Sequence, residues 1–255
     1  MQLNQKFKTV FGTLPIVGMI HLAGDNPVPR ALEELAIFEE EGVDGAIIEN
    51  YHGSLSDVVK TISESAKLNS TIAIGVNILP NECNLAFSLA HQYGIDFIQL
   101  DHIAGRYASG ELNLGDYAQC KEKCSEIIVF GGVWPKYYQP VHGSSLAADI
   151  RQGMARAEAI VVTGSGTGKE TPLSKIKIFR EVLGDHPLIV GAGLTPENAY
   201  QQLCLADGAI VGSCFKYDNN TQNPVERMRV ADFMAVVKEA RLKNLKFPRI
   251  GYILE

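Results

Sequence analysis

The chain predicts an α/β protein, a (β/α)8 TIM barrel, and three observations carry that expectation. Short apolar runs alternate with amphipathic stretches eight times. Most of the runs are near-continuous rather than alternating, as a parallel sheet covered on both faces requires. The last two units, "LIVGAGLTPEN" (Leu188–Asn198) and "DGAIVGSCF" (Asp207–Phe215), each end a β-branched run in glycine and small residues. That is the pattern of a phosphate cup built after strands seven and eight of such a barrel. At 255 residues the chain suits one barrel domain. An open doubly wound sheet is the alternative.

The elements follow in order. Strands are expected at Ile16–His21, Gly45–Asn50, Ile72–Ile78, Phe97–Asp101, Ile127–Trp134, Ala159–Thr163, Leu188–Gly191 and Ala209–Gly212. Helices are expected at Glu33–Glu41, Leu55–Leu68, Asn84–Tyr93, Tyr117–Cys124, Leu146–Ala157, Leu173–Leu183 and Pro196–Leu205. The eighth is expected to start at Asn223 as cap, with Pro224 first and Glu226 closing a capping box. Val225, Met228, Ala231, Met234 and Val237 would form its apolar face. No linker or low-complexity segment divides the chain, so 1–255 reads as one domain, with the barrel over about 14–240. The extension 241–255 has two candidate roles, covering the barrel or joining a subunit contact in a homo-oligomer.

Composition narrows the function. Hydrophobic residues make up 46% and charged residues 20%, as in an ordinary soluble globular protein. A net charge of −6 argues against nucleic-acid binding through a basic surface. It leaves phosphate binding open, because backbone amides and helix N-termini hold phosphate without lysines. No stretch nears the roughly 20 apolar residues of a membrane span, and Met1–Thr13 has no apolar run of signal-peptide length, so the expected location is cytoplasmic. Five cysteines, an odd number, read as reduced structural thiols rather than a disulfide framework.

In a TIM barrel the C-terminal strand ends carry the chemistry. Here those positions hold His21, Glu49, Asn50, Asn77, Asp101, His102, Lys136 with Tyr137, and Thr163. His21, Glu49 and Lys136 are the candidate catalysts: an imidazole that titrates near neutrality, a carboxylate at a strand end, and a lysine suited to a Schiff base or to neutralising an anion. Asn50, Asn77, Asp101, His102 and Thr163 are candidate substrate ligands, although neighbours such as Glu49 and Asn50 cannot both face inward on a regular strand. Gly191, Gly193, Gly212 and Ser213 are the candidate phosphate ligands, since glycine lets backbone amides approach closely. No cofactor is expected. Glu49-x-x-His52 is the one spacing that suggests a divalent metal, and on a loop it does not place two side chains on one face. "VTGSGTGK" (Val162–Lys169) is not a P-loop: three residues separate Gly164 from Gly168, and Glu170 follows Lys169. It reads as a glycine-rich lid over a ligand.

"PIVGMIHL" (Pro15–Leu22), "EEGVDGAIIEN" (Glu40–Asn50), "GVNIL" (Gly75–Leu79), "VVTGSGTG" (Val161–Gly168) and "GAGLTPEN" (Gly191–Asn198), in this order and spacing, resemble the BtpA family. The resemblance runs from about Leu14 through the last helix. It implies a ribulose-phosphate-binding type of TIM barrel, in a family named for a role in photosystem I biogenesis. Members typically carry an acid and then Lys-His at strand five. Here Gly132 stands at the acid, Lys136 is kept and Tyr137 stands at the histidine. After strand four, where members usually have Arg-Val-Asn-Val, this chain has Gln99-Leu100-Asp101-His102. Three functions are in competition. One is an enzyme that isomerises or cleaves a C–C or C–N bond in a small phosphorylated sugar or ribose-like metabolite. The others are a non-catalytic biogenesis factor that binds ligand, and a metabolite-responsive partner protein.

Overall fold

The computed structural model describes residues 2–246. Eight parallel strands close in sequence order: β1 (Ile16–Ile20), β2 (Gly45–Glu49), β3 (Ala73–Asn77), β4 (Phe97–Leu100), β5 (Ile128–Gly132), β6 (Ala159–Thr163), β7 (Leu188–Gly191) and β8 (Gly208–Val211), with β8 pairing back to β1. The helices are α1 (Gln2–Phe11), α2 (Pro27–Glu40), α3 (Leu55–Ser65), α4 (Cys83–Tyr93), α5 (Leu114–Lys123), α6 (Leu146–Met154), α7 (Leu173–Leu183), α8 (Pro196–Leu203) and α9 (Arg227–Lys246). The expected closed TIM barrel is the one that forms. No described helix is long and apolar enough to cross a membrane.

Alternation along each strand splits the core in two. Val17, Met19, Ile47, Phe97, Ile128, Phe130, Val161, Ile189 and Ile210 fill the barrel interior. Ile16, Ile20, Ile48, Val76, Ile98, Val129, Val162 and Val190 face the helices. The interior cluster also contains Phe7 and Phe11 from α1. Phe11 lies 5.1 Å, centroid to centroid, from both Phe97 and Phe130. α1 therefore plugs the N-terminal end of the barrel, and the sequence reading above has no counterpart for it.

The same end carries a repeated device. Asp44, Asp96, Glu158 and Asp207 each stand just before an even-numbered strand. Each accepts the N–H at the start of the preceding strand: Ile16 at 2.7 Å, Ile74 at 2.8 Å, Val129 at 2.8 Å and Leu188 at 2.9 Å. These N–H groups sit at strand starts, so a side chain ties each odd strand to its even neighbour.

Several helix boundaries shift by one to three residues, and the starts of α2 and α9 differ for a clear physical reason. α2 begins at Pro27, earlier than expected, because proline is tolerated in a first turn whose N–H groups are orphans. α9 begins at Arg227 rather than behind an Asn223 cap. Val225 bridges Lys216, and the Glu226 N–H bonds Phe215 O at 2.8 Å, so this segment is pinned as extended chain. The buried face of α9 is Val230, Phe233, Met234, Val237 and Ala240, while Met228 is 65% exposed. The helix also runs through 241–246, the first part of the expected extension; 247–255 lie outside the described residues.

Candidate active site

At the C-terminal end of the strands a cavity of about 450 Å³ opens into the barrel. Strand parity decides what reaches it. His21, Glu49, Asp101, Lys136 and Thr163 line it, together with Gly191, Gly193, Gly212 and Ser213. Asn50 does not. It turns to the loop between β3 and α4, where its Oδ1 accepts the Leu79 N–H at 2.8 Å, away from the face that Glu49 occupies. Asn77 is not among the lining residues either. It faces inward but is fully buried beneath the floor, with its amide bracing two carboxylates instead of meeting ligand. Its Nδ2 donates to Glu49 Oε1 at 2.8 Å and to Asp101 Oδ1 at 3.2 Å.

Burial governs the charges. Glu49 is 7% exposed, and desolvation pushes its carboxyl up to about 7. Lys136 and the Asn77 bond oppose that rise, and the nearby Asp101 carboxylate adds to it. His21 is held well below its ordinary range, first by burial and then by the positive charges of Lys216 and Lys136. Its ring is neutral at pH 7, and its Nδ1 has no hydrogen-bond partner. His102 is also lowered by burial, against the pull of Asp101. One source of the field on His21 is an ion pair behind the site. Lys216 Nζ bonds Glu34 Oε2 at 2.6 Å, and Arg30 Nε bonds Glu34 Oε1 at 3.0 Å.

The glycine-rich loop after β6 lies across the mouth. Thr167 Oγ1 accepts from Lys136 Nζ at 3.0 Å and from Tyr137 at 3.2 Å, and Tyr51 OH lies 3.3 Å away. The Thr167 N–H donates to Tyr137 OH at 2.8 Å. The loop also meets the candidate phosphate cup. A Cβ on Gly193, whose φ is +69°, would stand 2.2 Å from Glu170 N. Only glycine fits both that backbone and that contact.

Sequence reasoning missed Gln99, Tyr51 and Tyr138, which also line the cavity. Tyr138 donates to Asp101 Oδ2 at 2.9 Å. Period-two counting back from Asp101 finds Gln99; nothing in the sequence separates Tyr51 or Tyr138 from any other loop tyrosine. Glu49 and His52 do not converge: Glu49 faces the interior, while His52 is exposed and bonds Thr221 Oγ1 at 2.9 Å. His91, Cys124 and Glu126 bring ligand-type atoms within 4.8 Å of one another, but at the opposite, N-terminal end of the barrel.

The model of the BtpA family matches residues 14–239. The chain belongs to the BtpA family. Among its relatives, an uncharacterized protein of Pyrococcus abyssi is 28% identical over 90% of this chain and 98% of its own length. The photosystem I biogenesis protein BtpA of Synechocystis is 24% identical over 94% of this chain and 92% of its own. Solved structures similar to this BtpA-family barrel include phosphoribosyl anthranilate isomerase from Thermus thermophilus, with TM-score 0.64, 12% identity, and 89% and 99% of the two chains covered. The tryptophan synthase α subunit of Legionella pneumophila has TM-score 0.62 and 15% identity, with 93% and 97% covered. At such identities the likeness is one of fold.

The structure gives Gly132 a physical reason. A Cβ there would stand 1.9 Å from the carbonyl oxygen of Asp101. An acid at position 132 is therefore incompatible with the path that the chain takes through Asp101 and His102.

Proposed function

We propose that this BtpA-family barrel is an enzyme acting on a small phosphorylated sugar or ribose-like metabolite, by isomerase- or lyase-type chemistry or C–N cleavage. The observation that carries the reading is the placement of Glu49. A buried carboxyl poised near neutrality opens onto the same cavity as the glycine loops after β7 and β8. A general acid or base works best when its pKa lies near the operating pH. Glu49 would pass the proton and neutral His21 would relay or accept it. Lys136 would leave Thr167 to neutralise phosphate or a developing oxyanion. Gly191, Gly193, Gly212 and Ser213 would hold the phosphate through backbone amides and a hydroxyl. The structural neighbours named for phosphoribosyl anthranilate isomerase and tryptophan synthase make phosphorylated substrates a sensible first panel.

The test is calorimetric titration with inorganic phosphate and ribose 5-phosphate. Both should bind and compete, and Ser213→Asp should weaken each at least tenfold by placing a carboxylate in the cup. Absence of binding, or equal binding by Ser213→Asp, overturns the phosphate assignment. The name of the Synechocystis relative favours a second reading, a barrel that binds ligand without turning it over. On that reading NMR of a bound sugar phosphate shows no consumption by the wild type, and Glu49→Gln keeps its affinity.

A further inference from the structure

The two ends of the cavity have opposite hydrogen-bonding character. The loop side presents glycine backbone and Lys136, whereas the deep side is built from acceptors. Glu49 and Asp101 share a single amide nitrogen, Asn77 Nδ2. That amide cannot be turned, because its oxygen would then face two carboxylate oxygens. Its two N–H bonds are therefore spent on holding the carboxylates side by side. Tyr138 spends its hydroxyl proton on Asp101 as well. Among the described residues Glu49 Oε2 accepts no hydrogen bond.

Charge points the same way. Among the described residues lining the cavity, Lys136 is the one lysine or arginine. Its Nζ is turned toward Thr167, on the loop side. Arg30 and Lys216 are committed to Glu34 behind His21. A phosphate in the cup would take the field of Lys136. A second anion at the floor would then meet two carboxylates whose one lining cation, Lys136, is shared with the phosphate, in a setting where burial makes like charges costly. Carboxylate oxygens left without a donor call instead for a ligand that brings O–H or N–H groups.

We propose that the floor of this site selects the end of the ligand remote from phosphate: it takes a hydroxylated, uncharged terminus and refuses a carboxylate. The substrate class is thus the phosphorylated sugars and polyols, to the exclusion of phosphorylated sugar acids. This rests on the phosphosugar reading above and adds a rule that the reading does not contain. Asp101 is the specificity-determining residue, with Glu49 beside it and Asn77 as the residue that positions both.

Matched pairs test it. Glycerol 3-phosphate and 3-phosphoglycerate differ only in a terminal CH2OH against a carboxylate, and so do glucitol 6-phosphate and 6-phosphogluconate. With the full chain at pH 7.5, calorimetry should find the alcohol of at least one pair bound tenfold or more tighter than its acid. Asp101→Asn, which keeps an oxygen for Asn77 Nδ2 and turns an NH2 toward the Tyr138 hydroxyl, should bring that ratio within threefold. Acids that bind wild type as tightly as the alcohols overturn the rule and leave the phosphosugar reading standing. Binding of inorganic phosphate without any ester also overturns the rule while keeping the cup. Binding of none of these probes removes the phosphosugar reading, and the rule with it. Should Asp101→Asn not fold, the wild-type ratios alone decide.

Discussion

Glu49 illustrates how a single residue can be kept against its own solvation. Burial raises its carboxyl from the usual carboxylate range to about 7. A raised acid binds its proton more tightly in the folded chain than in the unfolded one. Its contribution is therefore fully favourable below the unfolded value, near 4.3. It is lost as pH climbs toward 7 and is absent above that. The loss amounts to about 3 kcal/mol, at 1.36 kcal/mol per pKa unit. Glu49→Gln keeps an oxygen for Asn77 and cannot ionise. The variant should therefore gain stability relative to wild type between pH 5 and pH 8, by up to about 3 kcal/mol. Urea denaturation at both pH values checks this, and parallel curves for the two proteins would place the Glu49 charge in water. His21 has the opposite preference: lowered by burial and by Lys216, it favours the neutral ring.

At the scale of elements, the strands and most helices could be read directly from the chain, because apolar runs and amphipathic periods report burial. What escaped has a physical cause. α1 shows only Phe7 and Phe11 on its inner face, too short a pattern to register beside Lys6 and Lys8. α9 was misplaced because Pro224 and Glu226 imitate a helix start, while the bridge from Lys216 to Val225 holds that segment extended. The same distinction runs through the site. His21, Glu49, Asp101, Lys136 and Thr163 could be found as polar residues at strand ends. That Asn77 lies under the floor depends on packing that no spacing encodes.

Two predictions belong here. Phe11→Ala empties a ring position shared with Phe97 and Phe130 and should cost about 3–5 kcal/mol in denaturant unfolding. Met228→Ala, on the face that the sequence would have buried, should change stability by no more than about 0.5 kcal/mol. The loop 164–169 is expected to act as a lid. Its latch is Thr167, shared by Lys136, Tyr137 and Tyr51. Hydrogen exchange should show protection of 164–169 rising when ribose 5-phosphate is added. Equal protection with and without bound ligand would make this loop scaffold and assign closure to 104–114, which is tied to the β5–α6 segment through Tyr107 and Pro140.

Over the whole molecule, the carboxylates before the even strands knit the closed end. Glu158 is the most deeply set. It accepts from Lys121 Nζ at 2.7 Å and from the Val129 N–H at 2.8 Å, with no exposure of its own. Glu158→Ala leaves that N–H without its acceptor and the half-buried Lys121 ammonium with the Ile127 carbonyl but no carboxylate, and should cost about 3–5 kcal/mol. Glu64→Ala, which removes an exposed partner of Lys67, should cost less than about 1 kcal/mol. Thermal and urea unfolding of the two variants side by side separates them.

The phenylalanine plug of α1 also sets the traffic through the protein. With Phe7 and Phe11 closing one end, the barrel is a blind vessel, and whatever goes in at the mouth must come out by the same door. One ligand cannot enter while another is leaving, and no second protein seated on the far end can hand a small molecule through the middle. Any partner that shares a ligand with this chain has to meet it at the rim where Thr167 lies.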